Sequence, residues 1–112
     1  MSNKRRFRKY NGLDKYHCRI YQRLHHPFIV ATVDYNYKTI SGYVITTSPT
    51  HKKSYYRLFQ NPNPNDSKLS YITRYRITDR WHMFSKPFNN WHLSPNDVKL
   101  IDWFEKEKQK AK

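Results

Sequence analysis

The sequence has few of the residues on which several common protein chemistries depend. Its one cysteine, Cys18, cannot form a disulfide within the chain, and nothing indicates an oxidising compartment. The two glycines, Gly12 and Gly42, stand alone, so no glycine-rich phosphate loop exists and chemistry on nucleoside triphosphates is close to excluded. The eight acidic residues are scattered, which argues against a catalytic pair of carboxylates.

Long apolar runs are also missing. No stretch of the sequence approaches the length that a membrane-spanning helix requires, and no secretory signal precedes the first predicted strand. We therefore expect a soluble, cytoplasmic protein that makes no use of a membrane.

The six histidines raise the question of a metal site. His17, Cys18, His25 and His26 lack the paired spacing of zinc ligands, and few acidic residues are available to help them. We expect no metal ion and no other cofactor.

Positive charge dominates what the sequence does contain. Twenty-two lysines and arginines against eight acids give a net charge of +14 with histidine neutral. A surface with this charge repels itself unless a polyanion or an acidic partner approaches it. Of the ten tyrosines, six phenylalanines and three tryptophans, we expect most to lie in the core, and some of these rings can stack on bases. The composition favours a nucleic-acid partner, and RNA in particular.

The length of 112 residues fits one domain. Residues 1–12 are strongly basic, and we expect a disordered tail that either binds a polyanion or simply keeps the protein in solution. Residues 13–112 are expected to form a single α+β domain.

Runs of β-forming residues predict a sheet. The run at 28–33 is continuous and β-branched, as in a strand buried on both faces, and 40–47 can pair with it as an antiparallel hairpin. Further strands are predicted at 55–59 and 70–77. The pattern over 13–24 fits a helix or a strand equally well.

A helix-start signal lies near the end of the chain. Ser94 supplies an N-cap hydroxyl, Pro95 suits the first helical position and Asp97 suits the third. The helix should run to about Gln109 and dock its apolar face on the sheet. The predicted fold class is therefore α+β, with a small curled antiparallel sheet or an SH3-like barrel and a C-terminal helix.

Polar residues are predicted to meet at one edge of the sheet. His26 lies just before the first strand of the hairpin, and Thr46, Thr47 and Ser48 end the second, so antiparallel pairing brings them to the same edge. Metal-independent RNA cleavage needs a titrating group and cations around the scissile phosphate. The candidate nucleic-acid contacts are His25, Thr47, Ser48, Lys52, Lys53, Arg74, Arg80 and, in the tail, Lys4, Arg5 and Arg6.

Each of these residues also has an ordinary structural interpretation. His25 and His26 can simply precede a strand, the threonines are common strand residues, and arginines often form a solvated strand face. Two other functions need only the charge. One is a non-catalytic binder, such as a phage or mobile-element protein that blocks a host nucleic-acid enzyme, and the other is a ribosome-associated basic protein.

Several short motifs resemble those of the MazF/PemK-type toxin family. The strings HHPFIVATVDYNYKTISGYVITTSPT and SYITRYRITDRWHMF carry the likeness, which covers roughly residues 24–84. The matching positions are Pro27 to Val30, Val44 to Thr47, Ser70 to Ile72, and Tyr75 to Asp79 followed by Arg80. The family's arginine before the proline is replaced here by His26.

The resemblance implies an SH3-like barrel that forms a homodimer, cleaves single-stranded RNA without metal and is restrained by an acidic antitoxin. Thr46 falls on the family's functional threonine. His26 would act as base or acid, and Arg76 would have to hold the phosphate because an imidazole cannot replace an always-charged guanidinium. The implied catalytic residues are His26, Thr46 and Arg76.

Overall fold

The structure, a computed structural model, describes residues 16–50 and 52–110 and contains seven strands and one α-helix there. The elements are β1 (Ile20–Arg23), β2 (His26–Asp34), β3 (Thr39–Thr46), β4 (Tyr55–Arg57), β5 (Tyr71–Thr73), β6 (Ile77–Arg80), β7 (Phe84–Pro87) and α1 (Pro95–Lys110). Every strand pairing is antiparallel.

The strand order is β4-β5-β3-β2-β1-β7, with β6 beside β3. The predicted α+β class, an antiparallel sheet with a C-terminal helix, is confirmed. The sheet is not closed, so the barrel alternative, which the resemblance also implied, is not the observed form. The predicted basic tail, 1–12, lies outside the described residues.

Strand β2 is buried on both faces, as its continuous apolar run predicts. Phe28 and Val30 pack in one cluster with Phe84, whereas Ile29 and Ala31 belong to a second cluster. All four of these β2 residues are at most 1% exposed. The alternation follows from the two-residue period of a strand, which sends successive side chains to opposite faces. The sheet therefore has a core on each side.

The segment that fitted a helix or a strand contains a strand. Residues Ile20–Arg23 form β1, and Arg23 pairs with His26, so Leu24 and His25 make a two-residue hairpin connection. Leu24 has a φ of 53°, which is uncommon for a residue with a side chain but suits tight hairpin turns. This turn places His26 at the start of β2.

The strand predicted at 70–77 is interrupted, because β5 and β6 pair with different halves of β3. Arg74 lies in the break, where its backbone N–H donates to the Ser54 carbonyl and its Nε donates to the Tyr55 carbonyl. These bonds replace ladder bonds and bend the chain. The unbroken alternation of the sequence gave no sign of the break, and β7 was not predicted.

The helix begins where its capping residues predict. The Asp97 backbone N–H donates to Ser94 Oγ at 3.2 Å, and the Ser94 hydroxyl donates to the Asp97 carboxylate at 2.9 Å. Asp97 also accepts from the backbone N–H groups of Phe59 and Gln60. Leu58 still donates its backbone N–H to the Ser70 carbonyl, but the N–H groups of the next two residues turn toward the helix, so the strand predicted at 55–59 does not continue to its predicted end.

Candidate functional site

A cavity of about 320 Å³ lies where β2 begins and β3 ends. We call it the rim cavity. Its lining residues are His26, Pro27, Ile45, Thr46, Thr47, Ser48, Asn61, Asp66, Ser70 and Trp91. The structure thus brings together four of the residues that the sequence singled out for chemistry.

Antiparallel pairing explains this convergence. Phe28 pairs with Val44, so the start of β2 and the end of β3 lie at the same end of the hairpin. Beyond β3 the chain turns because the Ser48 backbone N–H donates to Thr46 Oγ1 at 3.0 Å. His26 is exposed and Thr46 is half-buried, so an imidazole and a hydroxyl are accessible at this rim.

One wall of the cavity is an asparagine- and proline-rich loop that is closed by its own side chains. The Asn61 side-chain amide donates to the Lys68 carbonyl and accepts from the Asn63 backbone N–H. Asp66 Oδ1 accepts from the Lys68 backbone N–H at 2.9 Å. Bonds of this kind are typical of asparagine and aspartate in turns, and they fix the wall. The place of this loop beside the hairpin cannot be seen in the sequence.

Ser70 is the most unusual lining residue. It is only 1% exposed, and its hydroxyl has no hydrogen-bond partner among the described residues. A buried polar group without a partner costs about 1–3 kcal/mol, so such groups are uncommon unless a site uses them. Trp91 provides a nearby apolar wall, and its ring stacks on Phe88 with the ring centroids 4.7 Å apart. Sequence reasoning placed neither residue in a site.

Arg76 does not lie beside His26 and Thr46. Its Nη2 donates to Thr32 Oγ1 at 2.6 Å, and its guanidinium pairs with Glu105 at 3.1 Å. Thr32 is six residues along β2 from His26, a separation of roughly 20 Å at the usual rise of a strand. The phosphate-holding position that the resemblance gave to Arg76 is therefore not reproduced at the rim cavity, and its charge is already balanced.

The other predicted nucleic-acid contacts are dispersed. Arg74 is exposed, and its guanidinium lies 4.8 Å from the centre of the Tyr56 ring. Lys53, three residues before Tyr56 in the sequence, is also exposed. Arg80 is exposed at the opposite end of β3, where it pairs with Thr39. The remaining positions are His25 in the exposed hairpin turn, Lys52 in the short 3-10 helix Lys52–Ser54, and Lys4, Arg5 and Arg6 outside the described residues.

Strand pairing reveals a further cation near the cavity. Thr46 pairs with Tyr71, and Tyr71 pairs with Arg57, so the three residues form one rung across β3, β5 and β4. Directly paired residues point to the same face. Two strand spacings separate Arg57 from Thr46, which is about 10 Å, and Arg57 is exposed. Only the pairing, which the sequence does not show, identifies this residue.

Exposed cations outnumber exposed acids among the described residues, where the exposed acids are Asp34, Asp102 and Glu107. Six acidic side chains accept hydrogen bonds, namely Asp34, Asp66, Asp79, Asp97, Asp102 and Glu105. The exposed cations are Arg19, Lys38, Lys53, Arg57, Lys68, Arg74, Arg80, Lys86, Lys99 and Lys106. Lysines and arginines therefore dominate the exposed charge of the part of the chain that the structure describes.

His17 carries charge instead of acting as a base. Its Nδ1 contacts the Ala31 carbonyl at 2.8 Å and its Nε2 contacts Asp102 at 2.9 Å, and both partners are acceptors. The side-chain hydrogen bond with Cys18, together with these two bonds, raises the pKa of His17 to about 10 even though burial opposes the charged form. Both ring nitrogens of His17 are thus engaged, and the side chain links β2 to the helix.

Across 16–50 and 52–110, no three histidine, cysteine, aspartate or glutamate side chains come together as metal ligands. Within the same residues, no helix is both long enough and apolar enough to cross a membrane. Comparison with known proteins gives no match to a family model, a curated protein or a solved structure.

Proposed function

We propose that this protein binds single-stranded nucleic acid, and primarily RNA, across the surface that extends from the rim cavity to Arg57 and Arg74. The observation that carries the proposal is the distribution of charge. Arg57 lies about 10 Å from Thr46 of the rim cavity, Arg74 lies beside β4, and ten lysines and arginines in all are exposed among the described residues. A phosphate backbone is the common polyanion that suits such a surface.

Aromatic rings around the β4 edge support the same partner. Tyr56 and Arg57 are consecutive in β4 and point to opposite faces of the sheet, so a single strand that wraps around this edge would meet both. Tyr56 packs against Phe104 with ring centroids 5.4 Å apart, and Trp103 packs against the other side of this small cluster. Trp103 is 53% exposed and Tyr56 is 37% exposed. Single-stranded nucleic acids bind where bases can stack on rings beside cations, and Arg74 over Tyr56 supplies such a cation. Duplexes offer no free base faces to these rings.

Arg57→Gln tests the proposal, with Lys38→Asn as the matched control. Both changes remove one exposed positive charge, but Lys38 lies in the turn at the far end of the β2–β3 hairpin, roughly 25 Å from His26. Asparagine tolerates the positive φ of Lys38. We expect Arg57→Gln to weaken binding of a fluorescein-labelled single-stranded RNA by about 3- to 10-fold, measured by anisotropy.

The salt dependence should change as well. Loss of one phosphate contact is expected to lower the slope of log affinity against log salt by about 0.7 for a single strand. Lys38→Asn should leave affinity within about 2-fold of the unmodified protein. Equal losses from both variants would mean that only total charge matters, and absence of RNA binding at low salt would refute the proposal.

RNA cleavage is a second candidate function, and one observation favours it: His26, Thr46 and Thr47 line a single cavity. A histidine next to hydroxyl groups can move protons at a 2′-hydroxyl without metal. This function would agree with the resemblance to MazF/PemK-type toxins, for which a homodimer and an acidic antitoxin remain proposals. The distance of Arg76 from the cavity weighs against it, since a reacting phosphate needs fixed cations.

Cleavage can be separated from binding with purified protein in EDTA. If the protein is an endoribonuclease, single-stranded RNA will be cut to products with 2′,3′-cyclic phosphate ends, and His26→Ala will abolish cutting while retaining most of the binding. An RNA that stays intact with the unmodified protein, while it binds with the expected salt dependence, leaves binding as the function.

A further inference from the structure

We infer that the rim cavity holds a nucleobase with hydrogen-bond donors on its edge, guanine above all, and not the phosphate that a cleavage site would hold. The inference rests on the proposed function, since it names the part of the nucleic acid that enters the cavity. It assigns recognition to Asp66, Ser70 and Trp91, which had no part in the sequence-based site.

The charge of the lining disfavours a phosphate and suits a base. Asp66 is an acidic side chain in the lining, and none of the described lysines or arginines lines the cavity. A phosphate inside the cavity would therefore face a carboxylate with no guanidinium or ammonium group in the lining to compensate it. A neutral heterocycle is not repelled by the carboxylate, and its N–H groups can donate hydrogen bonds to it, because a carboxylate is an acceptor only.

Asp66 and Ser70 are suited to read a base edge. Asp66 Oδ1 accepts from the Lys68 backbone, which fixes the carboxylate while leaving its second oxygen without a described bond. Ser70 belongs to the same lining, and its buried hydroxyl has no hydrogen-bond partner among the described residues. A bound base that donates to the carboxylate and bonds the hydroxyl would satisfy both groups. Guanine carries two adjacent N–H donor groups on its Watson–Crick edge, whereas uracil carries only one.

The size of the cavity and the apolar part of its lining also suit a flat ring. Its volume of about 320 Å³ lies at the small end of ligand cavities, which run from roughly 300 to 1,000 Å³. Trp91, Ile45 and Pro27 provide apolar walls, and Trp91 is held in place by its stacking on Phe88. Single-stranded RNA is commonly recognised by bases that leave the stack and lie against aromatic side chains. The cations outside the cavity would then contact the flanking phosphates.

The test compares two labelled RNA heptamers of equal charge, UUUGUUU and UUUUUUU, by anisotropy. We expect the guanine-containing strand to bind at least 10-fold more tightly, with a ratio that does not change between 50 and 200 mM salt because both strands make the same phosphate contacts. Asp66→Asn should reduce this ratio to below about 3-fold, because the guanine-containing strand loses more affinity than the uridine strand. Asparagine keeps the oxygen that accepts from Lys68, so the loop should fold.

Asp34→Asn is the matched control, since it removes one negative charge in the turn at the opposite end of the hairpin and should leave the ratio intact. Ser70→Ala should lower the ratio by about 3-fold without lowering thermal stability, because the hydroxyl has no partner to lose.

Equal binding of both strands would overturn the inference while leaving the proposed function in place. So would an Asp66→Asn variant that binds both strands more tightly by the same factor, which is the expectation for a phosphate in the cavity. Failure of both strands to bind would refute the proposed function itself.

Discussion

Arg76 forms part of a polar network between the sheet and the helix. It contacts Thr32 and Glu105, and Glu105 in turn accepts from the Tyr43 hydroxyl at 2.6 Å. Burial and this hydrogen bond raise the pKa of Tyr43 above its ordinary value. The sequence showed Arg76 as one cation among many in an alternating strand. Its partner lies 29 residues away in the helix, a relationship that local pattern does not contain.

Arg76→Ala should therefore act on stability. It leaves the largely buried Glu105 carboxylate without its cation, and hydrogen bonds to charged groups contribute about 1.5–3 kcal/mol. We expect a loss of about 1–3 kcal/mol in the free energy of unfolding, measured with urea, and little change in RNA affinity among the molecules that remain folded. Unchanged stability with loss of RNA binding would instead place Arg76 in the functional site.

His17 predicts a pH dependence whose sign is fixed by its raised pKa. The pKa is about 10 in the folded protein against an ordinary 6.5, so the stabilisation is complete below about pH 6.5 and is lost as the pH rises through 10. His17 and Asp102 are both solvent-accessible, with side chains 36% and 51% exposed, so the effect should not exceed about 1 kcal/mol. Urea unfolding of the unmodified protein and His17→Gln should differ at pH 6 and converge by pH 10. A difference that grows with pH would contradict this assignment.

At the scale of elements, the sequence predicted those that depend on local signals. The buried strand β2, the β2–β3 hairpin and the helix that begins after Ser94 follow from periodicity and capping. The break between β5 and β6 arises from bonds that Arg74 makes with residues near 54, and the short β7 exists because it pairs with β1. Such long-range pairings override local propensity.

Gly42 gives a test of the packing between β2 and β3. A Cβ at this position would lie 1.9 Å from the Ile29 carbonyl oxygen and 2.7 Å from the Phe28 ring, so the backbones must separate to admit it. Gly42→Ala should lower the free energy of unfolding by about 1–3 kcal/mol or more, as overpacking does. Thermal unfolding monitored by circular dichroism measures this, and an alanine variant as stable as the unmodified protein would show that the strands do not approach so closely.

At the scale of the whole molecule, the candidate site contains residues that the sequence predicted and residues that only the fold brings to the same cavity. His26 and Thr46 meet because a single hairpin joins them, which composition and order suffice to predict. Asp66, Ser70 and Trp91 reach the same place through the folding of separate segments. The residues predicted from the sequence alone suggested chemistry at a phosphate, whereas the lining that includes these three residues suits a base. The cations that give the net charge of +14 would then contact the phosphates on either side of the bound base.

Chemical-shift mapping of the ¹⁵N-labelled protein with a single-stranded RNA heptamer tests the central claim most directly. We expect the largest shifts at Thr46, Thr47, Arg57, Asp66 and the indole of Trp91, with the turn around Lys38 unaffected. Shifts confined to the far end of the hairpin, or spread evenly over all exposed lysines and arginines, would contradict a binding surface centred on the rim cavity.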